Sequence, residues 1–150
     1  MQPYFLPYIG YFQLINSVDN FVIYDNIQYT KKGWINRNRI LQNEKDVLFS
    51  IPIKNDSDYL NISDRYISNK FNKIKIINKI KQSYKNAPYF KECIELIERI
   101  IEFENNNLFH YLYNSIVEIC GYLNIKTNLI VSSDIDINHH LKAQDKIISL

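Results

Sequence analysis

Between residues 31 and 39 the sequence KKGWINRNR sets Lys31, Lys32, Arg37 and Arg39 around the chain's one tryptophan, Trp34, with Asn36 among them. Cations beside an indole suit a ligand that joins an anion to a flat ring or sugar face: the charged groups take phosphates while the indole stacks on the base or sugar. Where this segment becomes a strand, alternation puts Arg37 and Arg39 on one face and the asparagines on the other, so two guanidiniums face one anion. The competing readings are a solvated turn with Trp34 anchored in the core, and a strand edge protected from pairing by charge. Asp25 follows the short apolar run FVIY at 21–24. There it is a candidate catalytic group, as general base or partner of a sugar hydroxyl, although turn capping is the commoner use of such an aspartate. Ser132 and Ser133 follow a second such run, and with Lys142 they are candidates for holding a phosphate or hydroxyl, against helix capping.

The elements that must position these groups read as follows. Pro3 and Pro7 restrict Gln2 and Leu6 to extended backbone, which makes the first seven residues a loop. Tyr8, Tyr11, Phe12 and Ile15 predict a helix over 8–17, and 21–24 predicts a strand. In α/β proteins ligands meet the carboxyl ends of strands, so the polar loop after Asp25 lies where a site is expected. Gly10 serves either close approach of a ligand or tight helix packing. Arg39–Leu41 and Val47–Ile53 predict a β-hairpin, and 59–67 a weaker strand. Apolar spacing then predicts helices from Asn69 to before Ala87-Pro88, from Tyr89 to Phe103 and from Leu108 to Leu123. A strand over 126–131 and a helix from Leu141 complete the chain. The expected fold is α/β: a Rossmann-like core with a β-hairpin extension and a helical insertion, in a single domain over 1–150. Both ends read as cut, lacking a first strand and a C-terminal segment.

At 150 residues with 46% hydrophobic content the chain can bury a core. A net charge of +2 with dispersed Lys and Arg gives nucleic acid no footprint, and no apolar run is long enough to span a membrane. Cys93 and Cys120 sit in apolar helical patterns, which predicts buried free thiols and a cytoplasmic setting. His139 and His140 beside Asp134 and Asp136 lack metal-ligand spacing and read as loop residues, and His110 as a partly exposed helix residue. There is no Walker A, Gly-x-Gly-x-x-Gly or Gly-x-Ser-x-Gly sequence. No cofactor is evident beyond a nucleotide or nucleotide-sugar ligand.

The runs QPYFLPYIGYFQLI, KKGWINRNRIL, APYF at 87–90 and SSDI at 132–135 followed by a Lys-Asp pair resemble the WbqC-like family over essentially the whole chain. That resemblance implies a place in bacterial surface-polysaccharide and O-antigen biosynthesis, as a transferase modifying or acylating a nucleotide-linked amino sugar, or as a non-catalytic module that binds a polysaccharide-biosynthesis enzyme. Pro7 to Tyr11 is also similar in position to the His-x-Gly-His motif of nucleotidylyltransferase-like Rossmann proteins. This second resemblance implies a ligand near Gln2, Tyr8, Gly10 and Tyr11, at a helix N-terminus that favours phosphate. Tyrosines stand at both imidazole positions and are neutral near pH 7, so the positive charge falls to Lys31, Lys32, Arg37 and Arg39.

Overall fold

A computed structural model describes residues 1–141 and 143–149. The fold is mixed α/β. Helix α1 (Ile9–Asn16) buries Tyr11, Phe12 and Ile15 on one face and leaves Ile9 and Leu14 exposed. Thr127 closes its far end by donating to Ile15 O (2.7 Å). Strand β1 (Asn20–Ile23) follows, and then the hairpin of β2 (Arg37–Gln42) and β3 (Lys45–Ser50). Its turn places Asn43 and Glu44 at positive φ, as a two-residue hairpin connection requires.

Three helices come next: α2 (Lys73–Tyr84), α3 (Phe90–Glu102) and α4 (Leu108–Tyr122). Asn72 and Asn107 cap α2 and α4 by accepting from the Lys75 and His110 amides at 2.8 and 3.1 Å. Strand β4 (Asn128–Val131) then returns to pair with β1 in parallel, Asn20 opposite Asn128 through Ile23 opposite Val131. Helix α5 (Ala143–Ser149) ends the described chain. Met1 donates to Val22 O (2.6 Å) and accepts from Tyr24 N–H (2.8 Å), the spacing of a parallel bridge onto β1. Of the expected Rossmann-like core, the described residues form the parallel β1–β4 pair; the hairpin and the helices between it and β4 lie where the sequence places them.

Three expectations are corrected. The strand over 59–67 is a 3-10 turn, Ile62–Asp64, because its flanks bridge three separate partners: Asn61 to Gln28, Ile67 to Ile53 and Tyr66 to Asn107. Leu6 is not extended but has φ 48°. The Asn38 amide donates to both the Phe5 and Leu6 carbonyls, and Phe5 N–H donates to Ile35 O at 3.0 Å, which holds the corner in the left-handed region against its local preference. Cys93 is exposed, while Cys120 is buried as expected.

One apolar core joins these parts. Phe5 packs against Phe49 of β3 and Tyr111 of α4, each with ring centroids 6.0 Å apart, and Tyr111 in turn meets Phe71 at 5.9 Å.

Candidate functional site

The turn at 30–33 and the start of β2 present Trp34, Arg37 and Arg39 together. Gly33 N–H closes the turn on Thr30 O (3.0 Å), and Arg37 braces it from outside by donating Nε to Gly33 O (2.7 Å) and Nη2 to Lys32 O. Both guanidiniums lie over the Trp34 ring, Arg37 at 5.7 Å and Arg39 at 5.4 Å from its centroid. The indole is 47% exposed and so remains open to a ligand. Arg39 also pairs with Asp46 through Nη1 (2.7 Å), at an exposed position where such a pair is weak.

Opposite this group stands the Leu6-Pro7-Tyr8 corner. Tyr8, 74% exposed, heads α1, and a Cβ at Gly10 would strike its ring. Gly10 thus leaves room for the Tyr8 side chain, with φ outside the left-handed region. Between corner and hairpin lies a cavity of about 300 Å³ lined by Tyr8, Pro7, Trp34, Arg37, Asn38 and Arg39, with Tyr4 and Phe5 behind. Its lining combines aromatic faces with two guanidiniums, and among the described residues no carboxylate lines it, a chemistry that suits a flat or ring-bearing anion.

The remaining sequence candidates are distributed as follows. Lys31 pairs with Asp58 (2.6 Å), and neither it nor Lys32 lines the cavity. Asn36 is buried, accepts from the Tyr29 hydroxyl (2.8 Å) and donates to Ile51 O (2.7 Å), which fixes the strand behind Trp34. Tyr11 lies in the core and donates to Gln2 O (3.0 Å); burial pushes its hydroxyl well above the usual tyrosine range. The Gln2 side chain accepts from Tyr4 at 3.4 Å.

A second polar cluster stands at the carboxyl ends of β1 and β4. Asp25 Oδ1 accepts from Ser132 Oγ (2.8 Å) and Ser133 N–H (3.0 Å), joining the two strands' exits. Beside them Lys146 of α5 donates to Asn26 Oδ1 (3.0 Å), and the Asn26 amide meets His139 Nδ1 at 2.9 Å. Asp25 and Ser132 thus tie the exits of β1 and β4 together through hydrogen bonds. Lys142 lies outside the described residues.

Sequence reasoning missed Asn38, Lys146 and Arg65. Asn38 alternates with Arg37 and Arg39, and its neighbours already carried the signal. Arg65 is 2% exposed, stacks on Tyr29 with its guanidinium carbon 4.9 Å from the ring centroid, and leaves Nε and Nη2 without a partner among the described residues. Burial raises the Tyr29 hydroxyl's pKa, and the charges of Arg65 and Arg37 pull the other way. A lone arginine between the isoleucines at 62 and 67 was its only trace in the sequence.

The WbqC-like protein family's model matches residues 2–150. An uncharacterized protein of Mycobacterium tuberculosis (strain ATCC 25618 / H37Rv) is 31% identical over 139 residues, which is 91% of this chain and 60% of the relative. The chain therefore spans about 60% of the length of that relative. No solved structure matches.

Proposed function

The chain belongs to the WbqC-like protein family, and from that premise we propose that it is a cytoplasmic transferase of bacterial surface-polysaccharide (O-antigen) biosynthesis, modifying or acylating an amino sugar carried on a nucleotide. The observation that supports this reading is the convergence of Tyr8, Trp34, Arg37 and Arg39 on one cavity. An indole offers a stacking face to a base or pyranose ring, and the guanidiniums offer planar donors to a pyrophosphate. Rings and phosphates together define a nucleotide sugar. In this reading the β1–β4 pair belongs to a Rossmann-like core, and Lys31 and Lys32 add positive potential at the rim.

Thermal stabilisation by a panel of nucleotides and nucleotide sugars tests the proposal. Ligand at a hundredfold excess over its dissociation constant adds about 2.7 kcal/mol, a shift of several degrees at this size. Trp34→Ala is expected to weaken the ligand by roughly 1–3 kcal/mol, the contribution of one stacked ring. Arg37→Ala and Lys31→Ala weaken it further through lost charge.

A second reading has its own support. Among the described residues no carboxylate, imidazole or thiol lines the cavity, which leaves the Tyr4 and Tyr8 hydroxyls as its groups for moving a proton. On that ground the alternative is a non-catalytic module that docks a polysaccharide-biosynthesis enzyme. Absence of any shift across the panel, with copurification of a protein partner, decides for it.

A further inference from the structure

Beyond the hairpin, on the other side of Asn38 and Arg39, lies a second cavity of about 310 Å³. Ile40 and Phe49 form one wall, Ile94 and Ile97 of α3 the other, and the Ala87-Pro88 turn closes one end. Its surface is almost wholly aliphatic or aromatic. Asn38 and Arg39 line this cleft as well as the Trp34 cavity, so one short stretch of β2 is a shared wall. The Arg39 guanidinium lies over Trp34 and, among the described residues, is hydrogen-bonded through Nη1 alone, to Asp46.

We propose that the aliphatic cleft binds the hydrocarbon chain of an acyl group, with its carboxyl or thioester carbonyl at Arg39. The chemistry of the occupant follows from that of the walls. A chain that is apolar along its length and polar at one end fits an apolar slot whose lining includes a single arginine. This rests on the nucleotide-sugar reading of the neighbouring cavity and names its donor class: the sugar amine on one side of Arg39 and the acyl carbonyl on the other share one wall. Ala87, Pro88 and Phe90 of the APYF turn, which the nucleotide site does not use, line this cleft. Cys93 also lines the cleft and is exposed, so it reports occupancy.

The experiment is calorimetric titration of the intact chain with butanoate, hexanoate and octanoate, together with the rate at which iodoacetamide alkylates Cys93. Affinity is expected to rise about fourfold per added methylene. Octanoate at saturation is expected to slow Cys93 alkylation at least tenfold. Ile94→Trp, which fills the slot, should abolish both effects, and Ala87→Leu at the exposed turn provides the same block where Ile94→Trp fails to fold. A flat response to chain length overturns the proposal, as does unprotected Cys93 or octanoate binding that both blocked variants retain. Titration of the wild-type chain with UDP-N-acetylglucosamine reads the other cavity separately. Octanoate binding without it supports the cleft and removes the nucleotide-sugar reading; the converse overturns the cleft and leaves that reading standing.

Discussion

At the scale of single residues, Arg65 and Gly10 show how the interior and the site make different demands. A buried guanidinium whose Nε and Nη2 find no acceptor among the described residues sets its stacking on Tyr29 against the cost of lost hydration. Arg65→Met, of similar volume, is therefore expected to melt at or above the wild-type temperature; a large loss would show that the charge has a partner in solution. Gly10 lies inside α1, where alanine gains about 0.5–1 kcal/mol in helix preference, but the added methyl group displaces the Tyr8 ring. Gly10→Ala should hold or raise stability in a thermal melt while lowering nucleotide-sugar affinity, which separates folding from binding at one position. Arg37, which braces the turn carbonyls, should show both losses together on replacement by alanine.

At the scale of elements, the strand exits are joined by Asp25. Asp25→Ala removes one buried and one part-buried hydrogen bond to a carboxylate oxygen and is expected to cost about 2–4 kcal/mol in a denaturant melt, whereas Asp25→Asn keeps an acceptor and costs less. The helices and the hairpin were legible because their apolar residues recur with the period of the structure they form. The 59–67 segment was not, since its apolar residues are divided among three partners remote in sequence, which no local period encodes. The same distinction governs the site. Arg37 and Arg39 share a face by strand alternation, which is a local rule, and the flanking cations mark Trp34. Asn36 and Tyr11 have the polar ends of a ligand contact, yet Tyr29, Ile51 and Gln2 satisfy them, and residue type alone does not disclose a hydrogen-bond partner. Cys93 reads as apolar in a helix pattern, but α3 turns it toward the cleft and not the core.

At the scale of the molecule, Phe5 and Tyr111 join the N-terminal loop, the hairpin and the helical insertion into one core. We expect one cooperative unfolding transition in calorimetry, with Phe5→Ala lowering stability by about 3–5 kcal/mol. Burial raises the hydroxyl pKa of Tyr11 and of Tyr111 above the ordinary value of 10.0. The folded state holds these protons more tightly than the unfolded chain. Their contribution to stability is thus complete below about pH 10 and is lost as pH rises beyond it. Alkaline unfolding should begin there, and Tyr11→Phe with Tyr111→Phe should make its pH dependence shallower even though each loses a hydrogen bond, to Gln2 O and Ile101 O respectively. The placement of Trp34 has an optical consequence. Because the chain has a single tryptophan and it stands half-exposed beneath two guanidiniums, its tryptophan emission, excited beyond the absorption of the twelve tyrosines, comes from the site alone. A ligand stacked on that ring should quench or blue-shift the emission without any attached dye, and binding becomes measurable in the unlabelled chain.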